Sequence, residues 1–282
     1  MKLNFRIIVY AILILLIASN IGGCSKKHQK DQPQKKPLGT EKSAVPKELT
    51  KIEEDIEKIM KQAKKINDIS KNNTTNSKNT SQNKSENDKN KKSSDKAEQK
   101  QEKPSPIEKN WNEIEKLIKD IHTNWNILTP IAVKAGSNLN LINSMSASIN
   151  DLTTISVKKT KLELLIAANN VYKYIPDLED LFKVNTPTDL KRLKYYTLDI
   201  NFRSETQNWG QIAKDFLDIN SVWVLLKPKM PKEAKFGIDK FEAGLSELEK
   251  AIKSQNSIIT KIKSDVLISD IKALEKDAKS KK

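Results

Sequence analysis

One cysteine, two histidines and seven glycines in 282 residues exclude much of the chemistry a chain of this length can carry. A lone cysteine, Cys24, permits no intrachain disulfide and no cysteine metal cluster, so stability must come from packing. Of the two histidines, His28 lies in a polar N-terminal stretch. His122 has no carboxylate or second histidine three or four positions away, as a helical metal site would need. Seven glycines leave no phosphate-cradling loop, and there is no haem-attachment motif. Aromatics are 5% of the chain and are not interleaved with its lysines, which argues against a single-strand nucleic-acid platform. The longest apolar run, Ile7 to Ala18, is well short of the roughly 20 residues a membrane-crossing helix needs. No segment alternates with period two, so no sheet is expected. These absences point to an all-α protein with no cofactor, no metal and no catalytic motif: not an enzyme and not a nucleic-acid binder.

Basic charge is plentiful, and it is unevenly placed. Of the net +15, residues 25–106 hold 21 Lys against 13 Asp/Glu, and residues 107–282 hold 28 Lys/Arg against 23 Asp/Glu. Such an excess fits attraction to anionic lipid heads or wall polymers.

The N-terminus reads as a sorting signal. Lys2 and Arg6 precede the short apolar run, and small residues follow it, in the order of a secretory signal peptide. The tetrapeptide Ile21-Gly22-Gly23-Cys24 resembles the lipobox of bacterial lipoproteins, with Ile21 where Leu is commonest. That resemblance covers residues 1–24 only. It implies removal of residues 1–23 and acylation of Cys24 with a diacylglyceryl and a palmitate-type chain. It therefore implies a lipid-anchored protein on the extracytoplasmic face of the cell membrane, with membrane lipid as its first partner.

Residues 24–44, with Pro33, Pro37 and Gly39, read as a flexible tether. Over residues 45–69, Leu49, Ile52, Ile56, Ile59, Ala63 and Ile66 recur at spacings of three and four, the stripe of one amphipathic helix. That stripe has three possible seats: the chain's own domain, a second copy in coiled-coil fashion, or the membrane surface. Residues 70–106 are mostly Asn, Ser, Lys and Gln, with Ala97 almost the sole apolar residue, and are expected to form a disordered spacer.

Residues 107–282 contain a duplication. NWNEIEKLIKDIHTNWNILTP (110–130) and NWGQIAKDFLDINSVWVLLKP (208–228) share nine of 21 positions without a gap, including both tryptophans of each copy. Asn110 and Asn208 read as N-caps, each with Glu113 or Gln211 completing a capping box, and Pro130 and Pro228 read as helix ends. The likeness continues: Ile142, Met145, Ile149 and Leu152 align with Ile238, Phe241, Leu245 and Leu248, and Leu162, Ile166 and Leu178 with Ile258, Ile262 and Leu274. The expected fold is a helical domain of about seven helices. It comprises two three-helix units, about 107–182 and 205–277, with a connecting helix at about 187–204 after Thr186-Pro187. The tryptophans are expected in the core.

The only candidate ligand surface flanks that connection: Tyr172, Tyr174 and Asp177 before it, Arg192, Tyr195 and Tyr196 within it. Tyrosines beside basic residues can bind a glycan or an anion, although rings in the core with hydroxyls in water are the commoner arrangement of such residues. The functional expectation is a non-enzymatic binding or scaffold module at the cell envelope, whose partner is an anionic wall polymer or an envelope protein. The alternative is a solute- or metal-binding receptor using a cleft between the two units.

Overall fold

The computed structural model describes residues 42–77 and 104–279. The signal, Cys24, the tether up to residue 41 and spacer residues 78–103 lie outside the described residues. The described chain forms nine α-helices: α1 (Lys47–Ser77), α2 (Pro106–Lys134), α3 (Leu139–Val157), α4 (Lys161–Tyr172), α5 (Ile175–Glu179), α6 (Asp189–Ser204), α7 (Trp209–Leu226), α8 (Lys235–Lys253) and α9 (Ser257–Lys279). Among the described residues there is no strand, only a parallel bridge between Ala44 and Lys183.

The helices repeat as fours rather than threes. In the first repeat α1 packs on α2 and α4, and α3 on α2 and α4. In the second, α6 packs on α7 and α9, and α8 on α7 and α9. Thus α1, the lone amphipathic helix of the sequence, is the first repeat's counterpart of α6, the expected connecting helix. Leu49, Ile52, Ile56, Ile59, Met60 and Ala63 match Leu190, Leu193, Thr197, Ile200, Asn201 and Ser204 at one constant offset, and all twelve are buried. Of the three seats open to α1, its own domain is the one it takes, and the folded body begins at Lys42. The Asn/Ser/Lys stretch is therefore not a stalk below the domain. It is inserted between the first and second helices of repeat one, where the second repeat has only residues 205–208.

Several helix ends differ from the sequence reading. α1 continues to Ser77, into the stretch assigned to the spacer. α2 starts at Pro106, with Ser105 as its cap and Glu108 closing a capping box, so Asn110 is interior while Asn208 does cap α7. Ser105 Oγ accepts from the Glu108 backbone N–H at 3.2 Å, and Glu108 accepts from the Ser105 N–H at 2.7 Å. α2 also runs through Pro130 to Lys134, because Ala132 beyond it is still core. α7 does stop before Pro228. The third helix expected in the first unit breaks at Lys173–Tyr174 ahead of Pro176, giving α4 and α5, whereas its counterpart α9 is continuous. α6 begins at Asp189, two residues beyond Pro187.

Two apolar cores result. The first gathers the buried faces of α1–α5, with Tyr195, Leu198 and Phe202 from the far side of α6. The second gathers α6–α9. Trp111, Trp125 and Trp223 are buried as expected, while Trp209 is half-buried because it is the first residue of its helix. At the close contact of α8 on α9, a Cβ on Gly244 would lie 3.0 Å from an Asp270 carboxylate oxygen and 3.2 Å from Leu267.

Candidate functional site

α6 is buried on two sides, and its charged residues meet their partners at the junction of the repeats. Lys191 Nζ lies 2.6 Å from Glu53 of α1 and 2.6 Å from Glu179 of α5. Three residues on, Lys194 pairs with Glu57 of α1. Residue numbers rise together in these pairs, so α1 and α6 run side by side in parallel. The same direction brings the Lys183 N–H to the Ser43 carbonyl at 2.8 Å. The Tyr172 hydroxyl lies 3.4 Å from Glu53, and Lys194 stands 5.0 Å above the Tyr172 ring. Glu53, Glu57, Glu179, Lys191 and Lys194, together with Glu275 of α9, line a cleft of about 560 Å³ between the repeats.

Burial sets the electrostatics of this cleft. Desolvation raises the Glu179 carboxyl above its ordinary range, with Lys191 opposing, and it raises Glu275 against the pull of Lys194. Burial alone would lower Lys191, but Glu53 and Glu179 hold its ammonium above the usual lysine value. Tyr172 is pushed well above the ordinary phenol range by burial and then by Glu53.

The six residues singled out in the sequence are divided by the fold. Tyr172 and Tyr195 are core rings; Tyr195 meets Tyr196 edge-on at 4.9 Å. Tyr174 and Tyr196 are half-buried against the first core. Arg192 and Asp177 do meet, at 2.6 Å, but Arg192 also reaches Asp180 at 2.5 Å and Asp189 at 3.0 Å. Its guanidinium is held by three carboxylates of the chain itself. The cleft residues Glu53 and Glu57 went unnoticed in the sequence. The signal that could have found them is the likeness of Leu49-x-x-Ile52 to Leu190-x-x-Leu193, which sets the two charged faces alongside each other.

A second cluster lies between α6 and α7. Asp199 and Asp215 are each about 1% exposed, and each has one carboxylate oxygen with no donor other than the facing acid. The other oxygens are held: Asp199 by Arg203 Nε at 2.5 Å, Asp215 by the Gln211 amide at 2.8 Å. Burial, the shared hydrogen bond and repulsion by Asp199 push the Asp215 carboxyl up to about 8, so the pair keeps a proton at neutral pH.

His122 meets Thr153, with Nε2 2.8 Å from Oγ1. The Thr153 hydroxyl already donates to the Ile149 carbonyl at 2.9 Å, so the imidazole N–H is the donor and the threonine oxygen only accepts. That is a structural bond between α2 and α3, with no proton taken from a nucleophile. Among the described residues no group of three His, Cys, Asp or Glu side chains could hold a metal ion. Comparison with protein-family models, with curated proteins and with solved structures finds no match to this chain.

Proposed function

We propose that this protein is an extracytoplasmic lipoprotein, anchored through acylated Cys24, whose duplicated helical body is a non-enzymatic binding module at the cell envelope. The observation that carries the reading is an unpaired apolar stripe on α9. Ile258, Ile262 and Val266 are 71%, 55% and 46% exposed, although the counterparts of the first two, Leu162 and Ile166, pack against the first core. A bare apolar stripe on one copy of a duplicated helix marks a surface that another molecule covers. The polar groups fit the same view, since Lys191, Arg192 and Lys194 are engaged with carboxylates of the chain. A photoreactive side chain at position 262 in intact cells should give one specific envelope adduct that is lost with Val266→Ser. Cys24→Ala should release the protein from the membrane or leave it unprocessed. A wild-type protein that is soluble and free of acyl chains would contradict the anchor, and random adducts would contradict the stripe.

The cleft lined by Glu53, Glu179, Lys191 and Glu275 favours a second reading, a receptor for a small charged solute. In that case a solute would displace an internal ion pair, and Lys191→Met would abolish its binding while leaving the α9 adduct intact.

A further inference from the structure

The exposed apolar side chains of the second repeat are gathered at one corner as well as on α9. Val224 and Leu225, in the last turn of α7, are 71% and 65% exposed, and Phe236, in the first turn of α8, is 81% exposed. The chain between them, Lys227 to Lys235, makes two short 3₁₀ turns and carries four lysines against one acid, Glu233. Three of these lysines touch acids, Lys227 on Glu242 at 2.5 Å, Lys229 on Asp189 at 2.8 Å and Lys235 on Asp239 at 2.7 Å. All three nonetheless keep about half or more of their side chains in solvent. The buried residues of the corner are Leu226, Met230, Pro231 and Ala234, which fix its backbone on the second core. The corner therefore turns a large aromatic ring, two aliphatic side chains and a cationic rim outward.

Its place in the fold matters as much as its composition. The contact of Lys229 with Asp189 puts the corner beside the start of α6. A cleft of about 500 Å³ lined by Thr186, Pro187, Lys229, Pro231 and Lys279 joins the same elements. Because α1 and α6 run parallel, with Ser43 bonded to Lys183, the chain enters the fold at this same end. Only 17 residues separate Cys24 from Lys42. Fully extended they span at most about 60 Å. α1 itself ends at Ser77, the far end of that helix from this entry.

Resting on the anchored-lipoprotein reading above, we propose that the α7–α8 corner is a membrane-docking surface, whose partner is an anionic lipid headgroup layer. Phe236, Val224 and Leu225 enter the interface between headgroups and acyl chains, and the lysine rim meets the lipid phosphates. An aromatic and aliphatic tip with lysines around it is the composition of an interfacial anchor. A second attachment of this kind makes acyl anchoring firmer and fixes which end of the body faces the bilayer.

The test uses the mature chain with Cys24→Ser, which carries no acyl group, so that its outcome is independent of lipidation. Sedimentation with vesicles is compared for equal parts phosphatidylglycerol and phosphatidylcholine and for phosphatidylcholine alone. The protein should bind the anionic vesicles, weaken with rising salt and bind the neutral ones poorly. Phe236→Ser and Lys232→Glu should each reduce binding about tenfold with unchanged thermal melting, because both side chains are exposed. Phe236→Trp should bind and show a blue-shifted emission on the vesicles. Equal binding by the wild type and Phe236→Ser, or no binding to anionic vesicles, would overturn the proposal. Loss of a crosslinked envelope protein from Phe236→Ser without any vesicle binding would overturn it in favour of a protein partner.

Discussion

Trp125 of α2 donates its indole N–H to Ser146 Oγ of α3 at 2.9 Å, and the second repeat reproduces the relationship with Trp223 and Glu242 at 3.0 Å. In both copies the ring fills the core while its one polar atom reaches across to the next helix, as a buried tryptophan requires. Trp125→Ala or Trp223→Ala should cost about 3–5 kcal/mol through the cavity left behind. Trp125→Phe keeps most of the ring volume and should cost about 1 kcal/mol, mainly the lost hydrogen bond. Urea unfolding of the three variants checks the order; an alanine variant as stable as the wild type would contradict core packing.

The acid pair predicts an inverted pH dependence. The Asp215 carboxyl titrates near 8 in the fold, against about 3.9 in an unfolded chain. Between about pH 4 and pH 8 the folded state therefore holds a proton that the unfolded state has released. Stability falls as pH rises through that window, by up to about 1.4 kcal/mol per pH unit, and levels off above it. Asp215→Asn keeps the hydrogen bond to Asp199 without the proton. It should flatten the slope and raise stability at pH 8. Thermal melts from pH 5 to pH 9 decide this, and a wild type that gains stability steadily from pH 5 to pH 8 would contradict it.

The cleft predicts asymmetric mutational costs. Lys191→Ala leaves Glu53 and Glu179 facing each other, mostly buried and without their cation. The expected loss is about 3 kcal/mol, since a buried charge stripped of its partner is costly. Adding Glu53→Gln and Glu179→Gln should recover most of it. Additive losses in the triple variant would show that the three groups are not one network.

The parts of the fold that the sequence displayed were those where each residue has one task. Trp111, Ile114, Ile118, Ile121 and Trp125 repeat as Trp209, Ile212, Phe216, Ile219 and Trp223 because each position faces one core. The kinship of α1 and α6 was hidden because α6 serves two. Where α1 has Ile56, Met60 and Ala63, α6 buries Thr197, Asn201 and Ser204. These polar groups are tolerated because each is bonded. Thr197 donates to the Leu193 carbonyl at 2.7 Å, Asn201 donates to Ser264 Oγ at 2.8 Å, and Ser204 donates to the Asn201 carbonyl at 2.7 Å. A long insertion after α1 completed the disguise. The Asp199–Asp215 pair and the cleft had no local signal at all, since each joins residues of different helices. By contrast Ser105-Pro106-x-Glu108 is a complete helix start, passed over for the duplicated Asn110.

The four-helix repeat also predicts that a chain beginning at residue 107 is not a self-sufficient domain. Without α1, the faces of α2 and α4 that cover Ile52, Ile56 and Ile59 are exposed. Such a fragment should keep a cooperative second repeat and lose the first, visible as loss of near-ultraviolet signal from Trp111 and Trp125. Replacing residues 78–103 by a short Gly/Ser linker in the full chain should leave melting nearly unchanged, because a shorter loop alters closure entropy only slowly.

Amide hydrogen exchange over residues 47–66 of the full chain tests the assignment of α1 as the first helix of the first repeat most directly. Exchange of Ile52, Ile56 and Ile59 should be slowed to the same degree as that of Ile114 and Ile118, the core residues of the neighbouring helix, and should open with them as one unit. Exchange of residues 47–66 at the rate of an unfolded peptide, beside a protected α2, would contradict the four-helix repeat.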